Sequence, residues 1–156
     1  MKIWKKDETD TSALVEQFTV GRDREFDLLL AKYDVLGSLA HTEMLSSVGL
    51  LLREDFAKIQ AALKQILDEI ECGDFSIVDD CEDIHSQIEW ILTQRIGDAG
   101  KKIHSGRSRN DQVAVDIKLF LKDAVKEIKD KTNQLFSLLL SLSEQHKNVL
   151  MPGYTH

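Results

Sequence analysis

The sequence carries a single proline, Pro152, and only eight glycines in 156 residues. So few chain breakers disfavour a turn-rich all-β fold and favour long helices. Cysteine is also scarce. Cys72 and Cys81 are the only two, and they are not in a C-x-x-C spacing. This usage excludes a disulfide framework and predicts a reduced, cytoplasmic protein with two plain thiols. Positive charge is in deficit, with 20 Lys and Arg against 27 Asp and Glu, a net charge of −7. A net acidic chain is a poor nucleic-acid coat, so no nucleic-acid partner is expected. The longest apolar stretch is too short to span a bilayer, and the opening MKIWKKDETD has no apolar core of a secretory signal, so no membrane partner is expected either. Internal repeats and low-complexity segments are absent.

What is present is an ordinary globular balance, 42% hydrophobic and 30% charged, on a chain long enough to bury a core without staples. Residues 1–21 read as a polar, extended arm that has room for a short turn of helix. From Asp23 the period becomes helical. Phe26, Leu29, Leu30, Tyr33, Leu36, Leu39, Ala40 and Met44 recur at steps of three and four, and the helix is expected to end near Ser47–Gly49. Arg53–Cys72 aligns Phe56, Ile59, Leu63, Ile66, Leu67 and Ile70, with Gly73 placed as a left-handed C-cap. Asp83–Ile96 aligns Ile84, Ile88, Ile91, Leu92 and Ile96. A loop over Gly97–Gly106 is expected next. The longest period runs from Asn110 to about His146, through Val113, Ile117, Phe120, Leu121, Ala124, Ile128, Leu135, Leu139 and Leu142. Such a helix is longer than the rest of a globule this size can cover. Its stripe predicts a bundle partner from further chain or from another subunit. The expected fold class is therefore all-α.

Three polar clusters stand out. In Lys101–Asn110, four fixed cations, a histidine, two hydroxyls and an amide lead into a helix N-terminus. Outward N–H groups and guanidinium groups there suit a carboxylate or phosphate. The same run is compatible with a solvated basic loop closed by a Ser or Asn N-cap. In Asp79-Asp80-Cys81-Glu82-Asp83-Ile84-His85, four carboxylates precede a helix start. They suit a structural N-cap, a bound guanidinium or ammonium, or the tuning of His85. The third cluster is Met151-Pro152-Gly153-Tyr154-Thr155-His156, where a turn presents a hydroxyl and an imidazole able to exchange a proton near neutrality. His41 and His146 read as surface or packed residues. No histidine pair has metal-ligand spacing and no cysteine has a nearby base, so neither a metal nor a cofactor is expected.

Taken together, Glu82-Asp83-Ile84-His85, then His104-Ser105-Gly106-Arg107-Ser108-Arg109-Asn110-Asp111-Gln112-Val113-Ala114-Val115-Asp116, then Pro152-Gly153-Tyr154-Thr155-His156 resemble the argininosuccinate lyase family of the fumarase/aspartase superfamily. The order and spacing of the motifs extend the resemblance over the whole chain. It implies an all-α fold, with an N-terminal helical domain at 1–106 and the start of a central helical bundle at 107–156. It further implies a homotetramer that cleaves argininosuccinate to arginine and fumarate by β-elimination, in arginine biosynthesis. Family chains are about three times as long, so the resemblance implies an N-terminal portion, inactive on its own. By the match, Ser108, Arg109, Asn110 and Thr155 contact substrate, His156 is an acid–base residue or its electrostatic partner, and Asp83 and His85 lie near the active-site rim. The family's usual N-terminal substrate-binding serine has no counterpart in residues 18–27, so no ligand is carried over there. Two alternatives are a lyase of the same superfamily that releases fumarate from another substrate, and a non-catalytic helical scaffold like the eye-lens relatives.

Overall fold

In the computed structural model, the structure describes Phe18, residues 21–78 and residues 81–155. Apart from Phe18 and Gly21, the expected N-terminal arm lies outside the described residues, as do Asp79, Asp80 and His156. Five α-helices and no strand occur among the described residues: α1 Asp23–Ser47, α2 Arg53–Cys72, α3 Ile84–Ile96, α4 Asp98–Lys101 and α5 Arg109–His146. A 3-10 turn, Lys102–His104, follows α4. The all-α expectation holds. The stretch expected as loop over Gly97–Gly106 instead winds into α4 and the 3-10 turn. Neither is long enough to leave a helical period in the sequence.

The chain divides into two units, residues 1–120 and 121–156. In the first, α1, α2 and α3 enclose a core of Ala31, Val35, Leu45, Ile59, Leu63, Ile66, Ile84, Ile88 and Leu92, with Ile103 of the 3-10 turn packed among them. The stripes expected of α2 and α3 are the ones buried. Ile59, Leu63, Ile66, Ile84, Ile88 and Leu92 are fully enclosed, with Phe56, Leu67, Ile70, Ile91 and Ile96 packed against them. The C-cap of α2 is as expected. Gly73 takes φ 81° and ψ 11°, and the following backbone N–H groups return to the last-turn carbonyls.

The stripe expected of α1 is not the one buried. Phe26, Leu29, Leu36 and Met44 are exposed, whereas Ala31, Asp34, Val35, Ser38, Thr42 and Leu45 are buried. Three members of that inner face are polar. Apolar periodicity ranks a face by its hydrophobes and passes over a face whose polar groups are hydrogen-bonded inside the protein. The first turns of α5 repeat the pattern, burying Gln112 and Asp116.

Helix α4 rests directly on the backbone of α3. A Cβ on Gly100 would stand 2.6 Å from the Leu92 carbonyl carbon and 2.7 Å from the Thr93 nitrogen. Backbone atoms inside a helix cannot yield as a side-chain tip would. Gly100→Ala is therefore expected to destabilise the first unit by about 1–3 kcal/mol, the usual cost of overpacking. Urea denaturation of the variant checks this, and an unchanged midpoint contradicts the packing described.

The second unit contains most of α5. At about 1.5 Å per residue its 38 residues run roughly 57 Å. Leu121, Val125, Ile128, Thr132, Leu135, Leu139 and Leu142 alternate steps of four and three, the seam spacing of helices that pack side by side. Apart from Ala124, every described residue from Leu121 onward is exposed.

Candidate functional site

The site is built where the N-terminus of α5 meets α1 and the start of α3, within the first unit. Ser108 closes the α5 terminus. Its backbone N–H and hydroxyl both donate to the Asp111 carboxylate, at 2.7 and 2.8 Å, and its Oγ accepts the Asp111 N–H at 3.3 Å. This reciprocal pair satisfies donors that a helix start leaves free. The hydrogen bonds from Ser108 hold the Asp111 carboxyl below the usual carboxylate range. Asn110 is exposed beside it.

Arg109 turns toward α3. Its guanidinium pairs with Asp83 and lies 3.4 Å from Ser86 Oγ through two nitrogens. Asp83 is the N-cap of α3 and accepts the Ser86 N–H at 2.8 Å. Burial raises the Asp83 pKa, but the Ser86 N–H and the Arg109 charge outweigh burial and hold it low. One carboxylate thus caps α3 and grips the arginine that opens α5. Arg107 points elsewhere, donating to Ser38 Oγ of α1 at 2.8 Å and to the Ile103 carbonyl at 3.1 Å. The His41 ring lies 2.8 Å from the Ser105 carbonyl, which ties the loop to α1. Lys102 lies away from this cluster, paired with Asp55 of α2.

Beneath Arg109 is a buried set that the sequence reading did not single out as site residues, apart from His85. His85 is 5% exposed, and Asp34 and Asp116 are each 1% exposed. His85 Nδ1 lies 3.0 Å from Asp34 Oδ1 and 3.8 Å from Asp116 Oδ2. Gln112 donates its amide to the same Asp34 oxygen at 3.2 Å. Burial pulls the His85 pKa down, but the Asp34 hydrogen bond and the charges of Asp34 and Asp83 raise it above its ordinary value. Burial, then the neighbouring Asp34 carboxylate, pushes Asp116 up to about 7. Asp34, His85 and Asp116 are also the one group among the described residues with donor types and spacing suited to a metal, their ligand atoms lying within 4.8 Å of one another. The signal that could have found the set is spacing. Asp34, Ser38 and Thr42 recur every four residues on α1, and Gln112 and Asp116 are four apart on α5.

These titrations have a stability consequence. Asp116 is protonated in the fold up to about pH 7, whereas an unfolded aspartate loses its proton near pH 3.9. Between these values the folded state holds the extra proton, so stability falls as pH rises. The slope is at most about 1.4 kcal/mol per pH unit for one proton. His85, with its raised pKa, adds stability that is full below about pH 6.5 and is lost as pH rises through its folded value. Both effects have the same sign. In urea unfolding, the wild type is expected to lose stability relative to Asp116→Asn, which cannot titrate, from pH 5 to pH 7. A constant difference contradicts the assignment.

Of the residues expected at the site, Asp83, His85 and Arg109 are brought together, with Ser108 and Asn110 on either side of Arg109. Thr155 is exposed in the second unit, and His156 lies outside the described residues.

Comparison with known proteins agrees with the motifs. The chain is 56% identical to an argininosuccinate lyase of Bacteroides thetaiotaomicron over 99% of this chain and 34% of that protein. It is 54% identical to that of Phocaeicola vulgatus, also over 99% and 34%. It is 48% identical to that of Desulforamulus reducens, over 100% and 34%. The chain thus spans about a third of the length of the curated relatives it matches. The family described as lyase matches residues 6–156, a span that takes in the α3 cap, the arginine loop and the whole of α5. On that match the chain belongs to the lyase family.

Proposed function

We propose that this chain serves the cleavage of argininosuccinate to arginine and fumarate, with no cofactor, as part of arginine biosynthesis in the cytoplasm. The observation that carries the reading is the 56% identity, over 99% of the chain, to a protein named argininosuccinate lyase. The motif string from His104 to Asp116, within that span, supports it as well. In the reaction a proton leaves the carbon beside a substrate carboxylate. The electron pair left behind forms the new double bond, and the bond from the neighbouring carbon to the guanidinium nitrogen breaks. That nitrogen leaves as arginine after taking up a proton. Negative charge collects on the carboxylate next to the carbanion, and it needs fixed cations and donors in a preorganised setting. Arg109, held by Asp83, and Asn110 at the N-terminus of α5 have that character. Ser108 and Thr155 are assigned to substrate contact, and His156 to proton transfer or its electrostatic support. Asp83 and His85 shape the rim, Asp83 by fixing Arg109.

The same reading takes residues 1–106 as an N-terminal helical domain and 107–156 as the start of a central helical bundle. The exposed seam from Leu121 to Leu142 supports assembly with other copies, in a homotetramer. No helix among the described residues is long and apolar enough to cross a membrane.

The test is a panel of fumarate-releasing substrates offered to the full-length protein: argininosuccinate, adenylosuccinate, malate and aspartate. Turnover of argininosuccinate alone is expected. Turnover of another member alone assigns a different lyase, and none at all leaves a helical scaffold.

A further inference from the structure

The buried set beneath Arg109 is costly to build. Two carboxylates, an imidazole and an amide occupy a junction of three helices where apolar side chains of similar size would pack at least as stably. Three of its oxygens, Asp34 Oδ2, Gln112 Oε1 and Asp116 Oδ2, have no hydrogen-bond partner although buried. What such a set supplies is direction. Asp34 comes from α1, His85 from α3, and Gln112 and Asp116 from α5. Gln112 follows Arg109 by three residues and Asp116 by seven, so all three lie on one face of the first two turns. His85 adjoins Ser86 and follows Asp83 by two residues, and these are the two residues that hold Arg109.

We infer that Asp34, His85, Gln112 and Asp116 form a positioning network that fixes the rotation of α5 about its axis and so aims Arg109 and Asn110. None of the four touches substrate in this account, and the inference rests on the role proposed for Arg109. Apolar packing would tolerate small rotations of α5, whereas the Gln112 hydrogen bond to Asp34 and the approach of Asp116 to within 3.8 Å of His85 select one. Two adjacent carboxylates do not both ionise readily, so one proton is shared in the set, on Asp116. The charged groups that face it are Asp27 and Asp34 from α1, Asp83 and His85 at the start of α3, and Arg107 and Arg109 at the start of α5, with Glu89 facing Arg107. Arg107 already supplies a fixed positive charge beside Asp34 and Asp116. With that charge and one proton, the set balances without a divalent cation.

The test compares Asp116→Asn, which keeps a polar group of the same shape, with Asp116→Leu, which keeps the branched shape and removes the polarity. In the full-length protein, Asp116→Asn is expected to hold kcat within about threefold. Asp116→Leu, at an unchanged melting temperature, is expected to lose about tenfold or more, because small misplacements of a reacting group are amplified in rate. Wild-type kcat in a folded Asp116→Leu overturns the inference. If that variant does not fold, Asp34→Asn decides. The NMR titration midpoint of the His85 imidazole is expected to fall, and an unchanged midpoint overturns the network. Stoichiometric zinc binding by the wild type that Asp34→Asn abolishes also overturns it and assigns the set to a metal. The imidazole and zinc readouts need no turnover, so they judge the network even if the proposed reaction fails.

Discussion

Arg109→Ala in the full-length protein is expected to lower kcat/KM for argininosuccinate by about 10²–10³-fold, the range seen when one preorganised charge donor is removed. Lys102→Ala is expected to lower it by less than about tenfold. The contrast follows from placement. Arg109 opens α5 and is held by Asp83 and Ser86, so its charge has one position relative to the helix terminus. Lys102 pairs with Asp55 of α2, and its flexible stem carries a point charge that no second donor fixes. Steady-state kinetics on both variants checks this. Equal losses point to a diffuse basic field in place of a positioned guanidinium. Asp83→Asn serves as a control, since it loosens Arg109 without removing it and is expected to fall between the two.

The second large effect concerns α5. Val125, Ile128, Leu135, Leu138, Leu139 and Leu142 are 42–65% exposed. Full burial of six such side chains contributes about 9–18 kcal/mol. Since about half of each is already covered, packing against another helix recovers roughly half of that. This is comparable with the stability of an entire domain, ~5–15 kcal/mol. Leu135→Glu combined with Leu139→Glu puts two charges into the seam and is expected to reduce the full-length assembly to smaller species at micromolar concentration. Light scattering reads the mass directly. An unchanged mass contradicts the use of this seam in assembly.

How far the sequence was legible depends on what each helix face carries. For α2 the inner face is almost wholly apolar, so its period gave both the boundaries and the buried residues; in α3 the period gave the boundaries and the apolar members, and passed over the buried His85, Ser86 and Gln87. Gly73 and Asp83, one at each end of the connector between them, were readable because helix ends have chemical rules. For α1 the period pointed outward, to Phe26, Leu29, Leu36 and Met44. The inner face is occupied by Asp34, Ser38 and Thr42, each hydrogen-bonded to a partner far away in the chain or to the helix itself. No local rule ranks a polar face as buried when its partner lies 51 or 69 residues on. The site was legible to the same extent. Ser108, Arg109 and Asp83 follow from helix-terminus chemistry, and the motif string names them together. Asp34 and Asp116 needed the three helices assembled, because their role exists only between elements. His85 lay on the boundary, visible as a polar residue at a helix start but meaningful only beside Asp34.

The most direct measurement of the central claim is the product stoichiometry when the purified full-length protein is given argininosuccinate. Fumarate is followed by its ultraviolet absorbance and arginine by mass spectrometry. The account predicts one arginine for every fumarate, at a rate that Arg109→Ala reduces by about 10²–10³-fold. Intact argininosuccinate after prolonged incubation, or fumarate formed without arginine, would contradict it.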